Sequence, residues 1–272
     1  MAYPPLVGSG EPHCGYDTSK PRVGTLAAGG VAWAVWNATY GARDFWHEVW
    51  GQLQEHYPAL LRGYRMTIIL TLLSFALAMV LGGVLALLRT SEFRAFRFAS
   101  GAYVEWFRNT PLLVQLFFLF FALPKLQLPI FGRPEWFLLS PFTAALIGLT
   151  MYTAAYTAEA LRSGLLSIDK GQTEAARALG LNYLQTRIHV VLPQAVRVAV
   201  PLLTSIFSAL FRNTALVSAI GVTELLQTAD NIQQDNFQTF ELFALAGVLY
   251  LSLTVPLAFA SNRLEARIAR AA

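Results

Sequence analysis

The chain has 272 residues, 55% hydrophobic and only 13% charged, with a mean hydropathy of +0.47. A soluble domain carries about a quarter charged residues, so this chain cannot cover a water-facing surface, and it is too apolar to be intrinsically disordered. Cys14 is the only cysteine, which excludes an internal disulfide framework. His13, His47, His56 and His189 are too scattered to suggest a metal cluster. What remains is an all-α integral membrane protein with room for roughly five or six spans. The pI of about 9.3 raises nucleic acid as a partner, but in a membrane protein the placement of the basic residues reports topology instead.

Taken in chain order, the first candidate span is 23–42, uncharged but rich in Gly and Ala, with Asn37 and Thr39 inside. It reads as an uncleaved N-terminal transmembrane helix. A signal peptide is the competing reading. Thr67 to Leu88 has no charge over 22 residues, roughly 33 Å of helix against a hydrocarbon core of about 30 Å. Leu112 to Leu123 is apolar but short, and makes a span only if its helix begins near Ala99 and takes in Glu105 and Arg108. Ser140 to Ala158 and Leu242 to Asn262 are uncharged, and Val198 to Thr223 is apolar apart from Arg212.

Orientation follows from Lys and Arg in the connections. If these five helices alternate, Arg89, Arg94, Arg97 and Arg108 share a side with Arg162, Lys170, Arg177, Arg187 and Arg197, and with Arg263, Arg267 and Arg270. The other side has Lys125, Arg133 and a loop, Glu224 to Glu241, with four acids and no base. The basic side is therefore cytoplasmic, and the C-terminus with it. Arg43, Arg62 and Arg65 fall on the outer side and weaken the bias without reversing it. A first span at 23–42 puts the N-terminus inside with Lys20 and Arg22.

The longest cytoplasmic connection, 163–197, carries the most information. Glu174 to Leu179 are strong helix formers, and Gly180 is placed to end that helix in the left-handed conformation. Asn182 has the chemistry of an N-cap for a second stretch to Leu192, whose continuation Pro193 interrupts. Ala175, Ala176 and Ala178 offer a small, smooth surface on which another protein can pack. The plain alternative is an ordinary loop with helical turns.

Spacing separates the two readings. Glu174, Ala175, Ala176 and Gly180, then nine residues, then Val190, Val191, Leu192 and Pro193 resemble the E-A-A motif of permease subunits of bacterial ATP-binding cassette importers, with Val190 in place of the usual Ile. Arg108 to Gln115 is similar to the R-x-T-P-L-L-V-Q segment of the polar amino acid permeases, a group that includes histidine, glutamine, glutamate and arginine systems. Ala158, Glu159, Arg162 and Gly164 are similar to its A-E-x-x-R-x-G segment. Arg212 to Leu216 with Ile220, Gly221, Glu224 and Leu225 is similar to its K-D-T-S-L-x-x-x-I-G-x-x-E-L segment, from which Arg212, Asn213 and Ala215 depart.

The resemblance covers roughly 58–270 and leaves 1–57 as an N-terminal extension. It implies a five-helix permease core in a bacterial plasma membrane, a second permease chain, identical or related, and two cytoplasmic ATPase subunits. It also implies an extracytoplasmic solute-binding protein and an amino acid substrate of the glutamate, glutamine or basic class. Glu174, Ala175, Ala176, Gly180, Leu192 and Pro193 are the residues it implies for ATPase coupling. No G-x4-G-K-S/T loop occurs in the sequence, so this chain does not bind ATP by that means; the resemblance implies that ATP and magnesium belong to the partner ATPases and that this chain has no cofactor and no catalytic site of its own. The rival readings are an ion-coupled carrier acting alone, which needs buried acids that the longest spans lack, and a membrane anchor for an enzyme complex.

Among the charged residues, Glu105 with Arg108 and Glu159 with Arg162 are spaced to pair on one helix face. Arg212 sits within an apolar segment, where an Arg costs about 2.5–3.5 kcal/mol on insertion scales. It therefore lines a substrate path, finds an internal ion partner or snorkels. Asn213, Thr214, Tyr152 and Tyr156 are candidates for the same path, with helix packing as their alternative.

The charge distribution makes a topological prediction. In a Cys14→Ser background, single cysteines at Lys170 and Gln233 label from opposite sides of intact cells. Labelling at Lys170 by an impermeant reagent added outside overturns the orientation.

Overall fold

A computed structural model describes residues 29–125 and 139–270. The candidate span at 23–42 begins outside these residues, as do Lys20 and Arg22, and Arg133 lies outside them too. The chain divides into two compact units, Met1–Trp46 and His47–Ala272. The first is helical from Gly29, and its Phe45 and Trp46 rings meet edge to face, centroids 5.2 Å apart. Everything below concerns the second.

All secondary structure among the described residues is helical. The helices are α1 (Gly29–Arg89), α2 (Arg94–Asn109), α3 (Leu112–Phe117), α4 (Pro141–Leu166), α5 (Lys170–Ala178), α6 (Tyr183–Thr186), α7 (Leu192–Asn213), α8 (Leu225–Asn236) and α9 (Thr239–Arg270). Phe45–Arg89, Tyr183–Ile220 and Thr239–Arg263 are long and apolar enough to cross a membrane.

Along α1 the usual distribution of residue types is inverted. Thr67, Thr71, Ser74 and Ala78 are buried, while Ile69, Leu72, Leu73, Leu77, Val80 and Val84 are exposed. In a bilayer, large aliphatic groups gain nothing by facing protein rather than lipid, and small or hydroxylated residues let helices approach closely. The helix starts well before the expected boundary at Thr67, because Val49, Gln52 and Leu60 extend its buried stripe.

The expected continuous span from near Ala99 to Leu123 is not formed. The helix breaks at Thr110 and Pro111, and α2 meets the segment Leu112–Lys125 at 106°. The residue before a proline is driven out of the α region, and Thr110 is extended, with φ −106° and ψ 133°. The Gln115 side-chain amide donates to the Phe107 and Thr110 carbonyls, which the break leaves without helical partners. The Glu105–Arg108 pair does not form either. Glu105 accepts from Asn109 and faces Arg89, while Arg108 lies over the Tyr156 ring, 5.4 Å from its centroid.

At the centre is α4. Ser140 caps it by accepting from the Thr143 N–H, and Pro141 occupies its first turn. Its buried residues are almost all Ala, Gly and Thr. It is therefore less hydropathic than the three spans above, although its 26 residues are long enough to cross. A Cβ on Gly148 would meet Leu116 at 2.7 Å, one on Gly82 of α1 would meet Thr157 at 2.8 Å, and one on Gly164 would meet the Ala195 carbonyl oxygen at 2.6 Å. Helices α1, α3 and α7 thus touch α4 at glycines. Leu70, Leu112, Leu116, Leu149, Leu210 and Val217 fill the space around one half of it.

The segment Glu224–Glu241, expected as an acidic loop, contains α8, with Glu224 as its N-cap. After α7 the chain tightens into a 3-10 helix, Thr214–Ile220, that ends on left-handed Gly221.

Gly164→Val places atoms against the Ala195 carbonyl, a contact that a side-chain rotation cannot relieve. A cost of about 1–3 kcal/mol is expected for overpacking, read as a lowered unfolding temperature in detergent. Gly83→Ala, which meets nothing within 4 Å, is the control and does not lower that temperature, since Ala favours a helix interior over Gly.

Candidate functional site: the connection between α4 and α7 and the charges beneath it

The connection between α4 and α7 folds as two short helices with well-made ends. Asp169 caps α5 by accepting from the Gly171 N–H at 2.6 Å. At its other end Gly180 is left-handed, φ +87°, as its position in the sequence requires. The Gly180 N–H donates to Arg177 O and the Leu181 N–H to Ala176 O, a complete Schellman closure. Asn182 and Gln185 then form a reciprocal capping box at the start of α6, each side chain accepting from the other's N–H.

Pro193 does not interrupt the helix as expected. A π turn, Arg187–Val191, widens the backbone just before it, and Leu192 and Pro193 fall in the first turn of α7, where a missing N–H does no harm. Nor do the three alanines make one face. Ala175 and Ala178 are exposed with Glu174, while Ala176 turns inward. The apolar surface offered to a partner lies instead on Leu179, 85% exposed, and on Tyr183, Leu184, Ile188 and Leu192. Tyr183, Leu184, Ile188 and Leu192 form one wall of a groove of about 710 Å³, with Leu87 and Phe93 opposite.

The candidate path residues fall into three groups. The Tyr152 hydroxyl donates to that of Tyr156 at 3.2 Å, and Arg108 covers Tyr156. Arg212 is exposed and donates to Ser208 Oγ at 3.3 Å. It has no carboxylate partner among the described residues, so the internal ion pair does not form there. Asn213 is half-buried, and Thr214 is buried, donating to the Phe211 carbonyl.

Two groupings went unread in the sequence. Glu224 is fully buried. Its carboxylate accepts from the Leu226 and Gln227 N–H groups and from the Tyr250 hydroxyl at 2.5 Å, and lies 3.4 Å from Thr67 Oγ1. The second is ionic. Glu159 receives Arg162 of its own helix, as its spacing suggested, and also Arg89 at 2.6 Å. Nothing local marks Arg89 as a partner for a residue 70 positions away. For Glu224 the signal is a lone acid immediately after an apolar run.

A family model described as "Binding-protein-dependent transport system inner membrane component" matches residues 78–270. The chain belongs to this family. The glutamate transport system permease protein GluC of Corynebacterium glutamicum is 39% identical over 217 residues, 78% of this chain and 95% of that one. The L-cystine transport system permease protein TcyB of Bacillus subtilis is 36% identical, covering 80% and 89%. GlnM of the same organism, named as a probable glutamine ABC transporter permease, is 33% identical, covering 79% and 96%. The crystal structure of an amino acid ABC transporter with histidines superposes with a TM-score of 0.71 at 30% identity, over 79% of this chain and 97% of that one. An inward-facing MetNI methionine ABC transporter superposes at 0.60 and 24% identity, which shows a shared fold. Members of the family are inner-membrane components of transport systems.

Gly180 gives the sharpest local test in this family member. Val in a left-handed position costs roughly 1–2 kcal/mol, and Asn adopts it more readily. Gly180→Val therefore exposes the α5–α6 turn to limited proteolysis, while Gly180→Asn cuts at the parental rate.

Proposed function

We propose that this chain is the permease subunit of an ATP-binding cassette importer that takes up a polar amino acid of the glutamate, glutamine or basic class. The observation that carries the reading is the α5–α6 unit. Two helices with capped ends present exposed Glu174 and Ala175 beside Leu179, Tyr183 and Leu184. A rigid projection with an apolar surface suits a groove in a cytoplasmic ATPase better than it suits solvent. The names of the glutamate and glutamine relatives support the substrate class.

In this reading two ATPase subunits bind ATP and magnesium, and each grips the 163–197 segment of one permease. A second permease, identical or related, completes the path, and a solute-binding protein delivers the amino acid outside. The C-terminus faces the cytoplasm, and residues 23–42 add a span ahead of the core. Arg212 has the exposure to meet a substrate carboxylate, with Asn213, Thr214, Tyr152 and Tyr156 contributing elsewhere along the path. Glu224 is a buried acid of the kind an ion-coupled carrier needs, so the lack of acids in the spans does not by itself set that rival aside; membership of the family does.

Reconstitution with the ATPase and binding protein tests this. Uptake of labelled glutamine, glutamate or arginine is expected only with internal ATP and external binding protein. Uptake driven by an ion gradient without ATP overturns the reading. In the same vesicles Arg212→Gln leaves no carboxylate unpaired, so assembly is expected to persist while transport per complex falls. Arg212→Lys, which keeps the charge and loses the planar fork, falls less. Full transport by Arg212→Gln removes Arg212 from the path.

A further inference from the structure

The ionic cluster beneath the connection joins three helices. Arg89 is the last residue of α1, and its side chain is 18% exposed. Its Nη1 donates to Glu159 Oε2 on α4 at 2.6 Å, while its Nη2 lies 4.0 Å from Glu105 Oε1 on α2. The Glu159 carboxylate is shared: Arg162 donates its Nε to Oε2 at 3.1 Å and its Nη2 to Oε1. One guanidinium therefore bridges two carboxylates on two other helices, immediately before α4 runs into the connection.

The packing at this level gives those charges their importance. The buried residues joining α1, α2 and α4 here are Ala78, Leu85, Val104, Ala154, Ala155 and Ala158. Four of the six are alanines, so the helices pack closely but with few interlocking knobs. A directional polar contact in such a setting can specify register. On another face of α4 the fit is tight: Gly164 approaches the Ala195 backbone of α7. The two helices that flank the connection are thus clamped together, while α1 meets α4 at Gly82, α2 meets it through Tyr103 and Arg108, and Arg89 is the charge that links all three.

We infer that Arg89 is a positioning residue for transport. It fixes α1 and α2 in register with α4, so that a displacement of the α5–α6 unit moves all three helices as one body. The inference rests on the coupling role proposed above for α5–α6. Without Arg89, α4 follows the ATPase while α2 loses its ionic tie at this end and tracks α4 less closely.

The test uses the full importer in a Cys14→Ser background, with spin labels at exposed Phe98 on α2 and Lys170 on α5 and distances measured before and after ATP–vanadate trapping. In the parent the Phe98–Lys170 distance stays fixed. In Arg89→Gln it shifts or broadens on trapping, and glutamine transported per ATP hydrolysed falls about fivefold or more, the low end of measured couplings between sites. Arg89→Lys, a point charge that cannot span both carboxylates, falls between and serves if the Gln variant folds poorly. Arg89→Gln combined with Glu159→Gln is no worse than Glu159→Gln alone, because the two act as a unit. A fixed distance and parental transport per ATP in both Arg89 variants overturn the inference and leave the coupling role standing. A parental complex that neither retains an ATPase nor responds to ATP overturns both.

Discussion

Close approach of backbones along α4 is the constraint on which the rest of the structure depends. Between helices in a bilayer there is little hydrophobic gain to be had, so association relies on van der Waals contact and on polar groups that lipid cannot satisfy. The Ala, Gly and Thr residues of α4 let α1, α3 and α7 come within a glycine's distance of it. The same composition makes α4 the least lipid-like of the long helices, and the large aliphatic groups are left on the outer face of α1.

From that centre the features of the α4–α7 connection follow. The end of α4 and the start of α7 are held by Gly164 and Ala195, which sets the two roots of the α5–α6 projection side by side. The projection itself is stiffened by closures at each helix end rather than by a core. A π turn carries it into α7 with Pro193 harmlessly in the first turn.

Much of this was legible in the residues. Gly180 and Asn182 declare their roles because left-handed closure and N-capping are local chemistry, and the apolar runs mark helices by length. The motif around Glu174 and Gly180 led to the family. The break at Thr110 had its signal in Asn-Thr-Pro, but an apolar run needing more length argued for continuity and gave the wrong answer. Glu105 and Glu159 show the limit of spacing rules. Both lie three residues from an Arg, yet only Glu159 pairs with it; Glu105 takes Asn109 and faces Arg89, while Arg108 turns to Tyr156, because tertiary neighbours decide. Glu224 read as a loop acid, since charge counting for topology has no means of detecting a carboxylate that caps a helix inside the protein. Residues 23–28 lie outside the described part of the chain, so the N-terminal span gains no structural account.

The polar row on α1 bears on how the chain is made. Its partners are translated late: Glu224 comes 157 residues after Thr67, and Ser252 comes 188 residues after Tyr64. In the interval the hydroxyls need not stand unsatisfied in lipid, because Thr67 can donate to Gly63 O and Thr71 to Thr67 O, one turn back on the same helix. Glu224 likewise arrives with two amides of its own α8 already on its carboxylate. Each side of this contact can enter the bilayer separately, at modest cost, and wait. Helix α1 can therefore pack on α4 early, but it gains the last of its polar partners only when α8 and α9 have been synthesised.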